Sequence, residues 1–137
     1  MNFQIILTII TIILFSLAMG VLWGVIWIPT KKRNYERIAE LINIKPGITL
    51  YDLGSGSGGL LFYLSKKYNI KCVGIEVAPL LFLYSWVKSI FYKNVKIKYG
   101  SFFRFNLSEA DIIYAFLLPK MYGKLKDKIK KDAKKMQ

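Results

Sequence analysis

Residues 48–59 have the sequence Ile48-Thr49-Leu50-Tyr51-Asp52-Leu53-Gly54-Ser55-Gly56-Ser57-Gly58-Gly59. The apolar and β-branched residues 48–53 predict a buried strand. After the turn, leucines recur at helical spacing over residues 60–68 and predict a helix. A strand that enters a glycine-rich turn and then a helix lets a ligand approach the backbone closely, because no side chains project there. These residues therefore predict a ligand-binding turn in an α/β sheet.

Strand and helix patterns alternate on the C-terminal side of this turn. Further strands are predicted at Ile70 to Ile75, Val95 to Tyr99 and Ile112 to Phe116. Helices are predicted around residues 35–42, from Pro79 to Phe91, and from Lys120 onward. Strands separated by helices predict a mainly parallel, doubly wound, Rossmann-like sheet. Because the sequence stops at Gln137, we expect this fold to be incomplete at its C-terminus, with the fourth strand at an open edge. Either the chain is a fragment or a partner covers that edge.

The N-terminal part of the chain is uncharged from Phe3 to Ile28. A run of this length predicts a transmembrane helix over residues 1–29, followed by a domain over residues 30–137. Basic residues follow directly, at Lys31, Lys32, Arg33 and Arg37. The positive-inside rule then predicts a single-pass membrane protein with its N-terminus outside and its C-terminal domain in the cytoplasm. A cleaved signal peptide is the alternative, since Ala18-Met19-Gly20 offers small residues at a cleavage site.

Composition excludes several kinds of site. The 137-residue chain has no histidine and one cysteine, Cys72. A Ser-His-Asp or Cys-His catalytic group is therefore excluded, and we expect no metal site. The 21 Lys and Arg residues outnumber the 8 Asp and Glu residues, for a formal net charge of +13, and all of them lie beyond residue 30. This charge predicts contact with anionic membrane lipid, whereas nucleic acid is not expected because no recognition motif is present.

The glycine-rich turn fits two binding patterns at once. Gly54, Gly56 and Gly59 fit the dinucleotide pattern G-x-G-x-x-G, while Asp52, Gly54, Gly56 and Gly58 fit D-x-G-x-G-x-G, the nucleotide loop of class I methyltransferases. The glycines alone do not choose between an NAD-binding oxidoreductase fragment and a methyltransferase. A phosphate-binding P-loop is excluded, since no Gly-Lys-Ser or Gly-Lys-Thr follows.

Two carboxylates help to distinguish a methyltransferase from an NAD-binding fragment. Asp52 lies two residues before the first glycine, where it would repel a pyrophosphate and attract a cationic amino-acid group. Glu76 closes the second strand, and its two oxygens are able to accept hydrogen bonds from both hydroxyls of a ribose. A helix is also predicted before the first strand, whereas dinucleotide-binding domains usually open with the strand. The alternatives are that Asp52 caps a turn and that Glu76 is a solvated carboxylate at a strand end.

The sequence resembles the membrane-anchored protein-lysine methyltransferases related to the ATP synthase c-subunit lysine methyltransferase, together with their short bacterial and archaeal relatives. The matching segments are Ile28-Pro29-Thr30, Tyr51 to Gly58, Val73 to Pro79, Gly100 to Phe103, Ala110 to Tyr114, and Leu118-Pro119. The resemblance implies a class I fold that binds S-adenosylmethionine and methylates lysine in a protein, often a membrane protein. It implies cofactor-binding residues Asp52, Gly54, Ser55, Gly56, Gly58, Glu76 and Ser101, and a substrate region at Thr30, Leu118, Pro119 and Tyr122.

The sequence also departs from that family. Ser57 stands where an acid is usual, Gly59 where an arginine is common, and Ser101 where an aspartate is expected beside the adenine. No residue is identified as a general base. A catalytically silent, membrane-bound nucleoside-binding module therefore stays open beside the methyltransferase and the NAD-binding fragment.

Overall fold

The computed structural model describes residues 2–22 and 31–133. Its helices are α1 (Phe3–Leu22), α2 (Arg33–Leu41), α3 (Gly59–Tyr68), α4 (Pro79–Ser89) and α5 (Pro119–Ala133). Its strands are β1 (Thr49–Leu53), β2 (Lys71–Glu76), β3 (Val95–Tyr99) and β4 (Ile112–Ala115), with a 3₁₀ turn at Phe102–Arg104. Each predicted strand is present, with bounds that differ from the prediction by at most one residue.

The four strands form one parallel sheet in the order β3-β2-β1-β4. The chain moves outward from β1 to β3 and then returns to the other side of β1 to form β4. The carboxyl ends of β1 and β4 therefore flank the point where the strand order reverses, which is where open α/β sheets bind ligands. The predicted Rossmann-like sheet is confirmed, and within the described residues β4 is an edge strand.

Both faces of β1 are covered, which explains its continuous apolar sequence. On one face, Leu50 and Cys72 belong to a buried cluster that includes residues of α2 and α3. On the other face, Tyr51 and Leu53 pack with residues of α5, including Met121. Alternate residues of β1 therefore point to opposite layers, and Asp52 lies on the same face as α2 and α3.

The C-terminal helix is fixed by a buried carboxylate. Asp132, in the last turn of α5, accepts a hydrogen bond from the backbone N–H of Leu107 (2.9 Å) and forms an ion pair with Lys128 (2.8 Å). Asp132 is 2% exposed. This anchor joins the last turn of α5 to the connection between β3 and β4.

The predicted transmembrane helix over residues 1–29 is wrong. Within residues 2–22 and 31–133, no helix combines the length and the apolarity that crossing a membrane requires. Of that uncharged run, the described helix α1 covers Phe3–Leu22. One side of α1 packs on α4, where the buried Ser16 hydroxyl accepts a hydrogen bond from the Leu80 backbone N–H (3.2 Å).

Two further predictions for this end of the chain concern lipid binding and cellular location. Lipid binding through the N-terminal helix is not supported, because that prediction depended on the transmembrane helix. Residues 1 and 23–29 lie outside the described residues. The cytoplasmic location of residues 30–137, expected from the basic residues that follow the uncharged run, stays a prediction.

Candidate functional site

The glycine-rich turn carries the chain from the end of β1 over the end of β2. The backbone N–H groups of Gly54 and Ser55 both donate to the carbonyl oxygen of Ile75, at 2.8 and 3.2 Å. Gly54 (φ 87°) and Gly58 (φ 73°) have left-handed backbones, which residues with a side chain rarely adopt. The turn thus lies flat across the sheet edge, with its backbone close to Glu76.

Glu76 is held by three backbone hydrogen bonds. Its Oε1 accepts from the N–H groups of Val77 (2.9 Å) and Ala78 (2.7 Å), and its Oε2 accepts from the N–H of Gly56 (2.7 Å). The residue is 2% exposed. Burial raises the pKa of Glu76, although the three backbone hydrogen bonds act in the opposite direction. The carboxylate therefore links the glycine-rich turn to the loop after β2.

Asp52 lies next to Glu76 on the α2 and α3 face of the sheet. It pairs in register with Gly74, two residues before Glu76, and it is 5% exposed. Burial, with a further contribution from the charge of Glu76, raises the pKa of Asp52 to about 7. Within the described residues neither carboxylate forms an ion pair. Two buried acids without a cation make this site electrostatically suited to a positively charged ligand.

These residues fit S-adenosylmethionine, which carries a sulfonium and an ammonium cation. A carboxylate has about four acceptor positions, and three of those on Glu76 are used by backbone N–H groups. Asp52 accepts no hydrogen bond with its side chain in the described part of the chain. Asp52 would bind the ammonium group, and Glu76 would bind a ribose hydroxyl through its remaining position. A pyrophosphate, which is anionic, would be repelled by both.

Tyr35 of α2 also lies beside Asp52. The sequence predicted only that this residue belongs to a helix around residues 35–42. It is 9% exposed, and a Cβ atom added to Gly59 would collide with its hydroxyl oxygen. Burial and the nearby charge of Asp52 raise the pKa of Tyr35, so it is neutral. No sequence signal distinguished this tyrosine, because its position depends on how α2 packs against α3.

The predicted residue Ser55 lies at the turn, but its hydroxyl points into the protein. Its Oγ is buried and has no hydrogen-bond partner among the described residues. A Cβ atom added to Gly74 would lie 2.6 Å from this oxygen and 2.8 Å from Leu61 of α3. The Ser55 side chain is therefore between β2 and α3, and only its backbone is placed to meet a ligand.

Substitution of Ser55 with alanine tests this placement. We expect Ser55→Ala to bind S-adenosylmethionine within about twofold of the wild type, and to be as stable or about 1 kcal/mol more stable, because it removes a buried, unpaired hydroxyl. Calorimetric titration and urea denaturation measure the two quantities, with Ser57→Ala in the same turn as the matched control. A tenfold weaker affinity for Ser55→Ala alone would mean that the hydroxyl contacts the ligand.

Ser101 is brought to the same edge of the sheet. It follows β3, the neighbour of β2, and is 7% exposed. The N–H of the preceding residue, Gly100, donates to the carbonyl oxygen of Glu76 (2.9 Å), so Ser101 is tied to the end of β2. This is the location predicted for a residue beside the adenine, and its role stays a prediction.

The predicted substrate region lies across the strand-order reversal from the glycine-rich turn. Leu118 and Pro119 follow β4, which pairs with β1 through Leu53 and Ala115. The hydroxyl of Tyr122 donates to the carbonyl oxygen of Ala115 and accepts from the N–H of Leu117, both at 3.4 Å. These contacts place Tyr122 at the end of β4. Thr30, the other predicted residue of this region, lies outside the described residues.

Known proteins resemble this chain over most of its length. The ANTKMT methyltransferase domain family matches residues 52–137. A protein-lysine N-methyltransferase of Saccharolobus islandicus (strain REY15A) is 30% identical over 112 residues, which are 79% of this chain and 70% of that protein. The crystal structure of an RNA methyltransferase from Salinibacter ruber with S-adenosyl-L-homocysteine has a TM-score of 0.68 and 30% identity, over 73% of this chain and 67% of that one.

A shorter match covers only the cofactor-binding half. Phosphoethanolamine N-methyltransferase 1 of Zea mays is 34% identical over 55 residues, which are 40% of this chain and 11% of the maize protein. A match of this extent concerns one segment of a much longer chain.

Proposed function

We propose that this chain, which belongs to the ANTKMT methyltransferase domain family, methylates the side-chain amine of a lysine in a protein. The family match and the similarity to two methyltransferases show that it is an S-adenosylmethionine-dependent methyltransferase. The predicted enzyme class and cofactor are confirmed, and the alternative of an NAD-binding oxidoreductase fragment is wrong. The acceptor is the part that we propose.

The lysine acceptor is supported by the similarity to the Saccharolobus protein-lysine N-methyltransferase, which extends over 79% of this chain. The observation that carries the proposal is the location of Asp52 and Glu76 at the carboxyl ends of adjacent strands, beside the end of β4. The cofactor residues and the predicted substrate residues Leu118 and Tyr122 thereby share one edge of the sheet.

In methyl transfer, the main task of the side chains is to bind and orient the acceptor. S-adenosylmethionine supplies a methyl group activated by the sulfonium. The chain binds and orients the acceptor, which is the main source of acceleration in an in-line displacement. An acceptor lysine must also lose its proton, and contact with the apolar Leu117 and Leu118 lowers its pKa by removing water from the amine. The Tyr122 hydroxyl, already an acceptor, is placed to orient the amine at the end of β4.

An RNA acceptor is the second candidate. The RNA methyltransferase of Salinibacter ruber has the same 30% identity as the Saccharolobus protein. A cleft of about 590 Å³ lies at the amino ends of the strands. Its lining includes four lysines, Lys71, Lys93, Lys96 and Lys98, and one acidic residue, Glu109. Positive charge of this kind attracts phosphate groups without reading sequence.

Label transfer separates the two acceptors. The full chain is incubated with methyl-labelled S-adenosylmethionine and either a protein extract or total RNA, and the products are hydrolysed and identified by mass spectrometry. We expect methyllysine in the protein extract and no label in RNA nucleosides, with Asp52→Ala inactive on both. Labelled nucleosides without methyllysine would replace the lysine proposal with the RNA candidate. Cofactor binding with no label in either would contradict both the lysine proposal and the RNA candidate.

A further inference from the structure

Strand β3 alternates apolar residues with lysines, and the two sets point to opposite faces of the sheet. Val95 and Ile97 belong to the buried cluster that includes residues of α3. Lys96 pairs in register with Val73 and so, like Lys98, lies on the face against which α5 packs. Among the described residues, none from β3 belongs to the cluster under α5. A strand covered on both faces is apolar throughout, so the lysine face of β3 is an open part of the sheet.

This open face borders the cleft of about 590 Å³ at the amino ends of the strands, the lysine cleft. Its lining includes four lysines, Lys71, Lys93, Lys96 and Lys98. None of the four forms an ion pair within the described part of the chain. The acid of the lining, Glu109, interacts with the Tyr51 hydroxyl instead, since burial and then the Glu109 carboxylate raise the pKa of Tyr51. The lysine cleft therefore offers positive charge to a ligand.

The lining of the lysine cleft favours an acidic protein segment over RNA. Single-stranded RNA binds through aromatic rings on which its bases stack. The one aromatic ring in the described lining, that of Tyr51, is only 1% exposed. The described lining also contains no arginine, whose planar fork matches phosphate. The cleft thus presents separate point charges, which suit carboxylates on flexible side chains.

The net charge of the chain supports the same kind of partner. The chain has a formal net charge of +13, and the acceptor that we propose for it is a lysine, which is itself cationic in water. Like charges slow the encounter of two proteins, whereas complementary charges accelerate it. An acceptor protein that carries acidic residues in the same region as its lysine would be attracted to this chain.

We propose that the lysine cleft binds an acidic segment of the acceptor protein, while the acceptor lysine reaches the carboxyl ends of the strands. The cleft lies at the amino ends, so the two places are about one strand length apart, roughly 17 Å. An extended chain covers that distance in about five or six residues. The acidic segment therefore lies at least that far from the lysine along an extended acceptor. This inference rests on the proposed lysine acceptor.

Two fluorescent peptides that differ only in charge test the lysine cleft. Each contains one lysine and, about eight residues away, a run of glutamates in one peptide and of glutamines in the other. Binding to the full chain is measured by fluorescence anisotropy with S-adenosylhomocysteine present, and methyl transfer is measured with S-adenosylmethionine. We expect the glutamate peptide to bind about tenfold more tightly and to have a correspondingly lower KM, because it forms several ion pairs at once. Its kcat should stay within about twofold of that of the glutamine peptide.

Replacing both lysines of β3 removes half of the positive charge of the cleft lining. In the double variant Lys96→Gln, Lys98→Gln, we expect the advantage of the glutamate peptide to fall about fivefold, with binding of the glutamine peptide unchanged. Raising the salt concentration should reduce the advantage in the wild type in the same way.

The matched control is the double variant Lys45→Gln, Lys126→Gln, which makes the same change in net charge at exposed positions outside the cleft lining. The control should keep the full advantage of the glutamate peptide. An equal loss in the control would mean that only the overall charge attracts the peptide, and equal binding of the two peptides by the wild type would also overturn the proposal. Tighter binding of a single-stranded RNA of equal charge, with the same dependence on Lys96 and Lys98, would assign the cleft to RNA instead.

The binding measurement separates this inference from the proposed function. Binding of the glutamate peptide does not require methyl transfer, so the lysine cleft is tested even where label transfer to a protein extract contradicts the lysine acceptor. Methyllysine in the extract together with equal binding of the two peptides would contradict the cleft and leave the lysine acceptor in place.

Discussion

Glu76→Ala is expected to lower the free energy of unfolding by about 3 kcal/mol or more, because each buried N–H without an acceptor costs about 1–3 kcal/mol. The substitution removes the acceptor of three such groups, on Gly56, Val77 and Ala78. Affinity for S-adenosylmethionine should fall about 100-fold, since Gly56 of the glycine-rich turn loses its hydrogen bond to Glu76 and the ribose loses a charged acceptor. Urea denaturation and calorimetric titration measure the two effects.

Glu76→Gln gives a graded version of the same experiment. Its amide keeps one acceptor oxygen, for Val77 and Ala78, but presents an NH₂ donor to the N–H of Gly56. We expect about half the loss of stability and a folded protein in which affinity is measurable. Glu40→Ala, at an exposed position of α2, is the control for removing a carboxylate. A Glu76→Ala protein as stable as the wild type would show that these hydrogen bonds do not hold the turn.

The proximity of Asp52 and Glu76 was predictable because it follows from strand order alone. The carboxyl ends of parallel strands meet at one edge, so an acid at the end of β1 and another at the end of β2 must lie near each other. The register then places Asp52 opposite Gly74. No knowledge of side-chain packing was needed for this part of the site.

The direction of individual side chains was not predictable in the same way. Ser55 was expected at the ligand, but in the structure its Oγ is against Gly74 and Leu61. The sequence predicted only that Tyr35 lies in a helix around residues 35–42, yet its hydroxyl lies beside Gly59, the first residue of α3. Both outcomes depend on how α2 and α3 pack on the sheet, which helical and strand periodicity does not encode.

The N-terminal prediction failed for a related reason. An uncharged run describes only the composition of a segment. Crossing a membrane requires that the segment form one helix that is both long and apolar. In the described helix α1, Ser16 on the buried side accepts a hydrogen bond from Leu80 of α4. The contact with the domain involves residues more than 60 positions apart, which no local pattern records.

Asp52→Asn is expected to make the free protein more stable than the wild type at pH 8, by at most about 4 kcal/mol. The pKa of Asp52 rises from 3.8 in an unfolded chain to about 7 in the folded protein. Asp52 therefore contributes its full stability below pH 3.8, where both states are protonated. That contribution is lost as the pH rises through about 7, because the unfolded state releases its proton first. Asparagine does not titrate, so Asp52→Asn does not lose stability at this position as the pH rises.

The measurement is urea denaturation of both proteins between pH 4 and pH 8. Among the described residues, the titratable groups on the same face of the sheet as Asp52 include Glu76, Tyr35, Cys72 and Tyr114, which pairs with Asp52 in register. Burial raises the pKa of Cys72 to about 12, and Tyr35 is also shifted upward, so neither titrates in this range. The pH dependence that remains in Asp52→Asn comes from the other carboxyl groups, including Glu76 and Glu36. Parallel curves for the two proteins would mean that Asp52 ionises normally in the folded state.

Cofactor affinity should change with pH in the opposite direction to stability. An ammonium group binds to ionised Asp52, so the affinity of the wild type for S-adenosylmethionine should increase about tenfold between pH 5.5 and pH 7, following the ionised fraction of the carboxyl group. 5′-Methylthioadenosine lacks the ammonium group and should show no increase, and Asp52→Asn should bind S-adenosylmethionine weakly at every pH. An increase that persisted in Asp52→Asn would assign the proton to Glu76, and the ammonium group would then bind there instead.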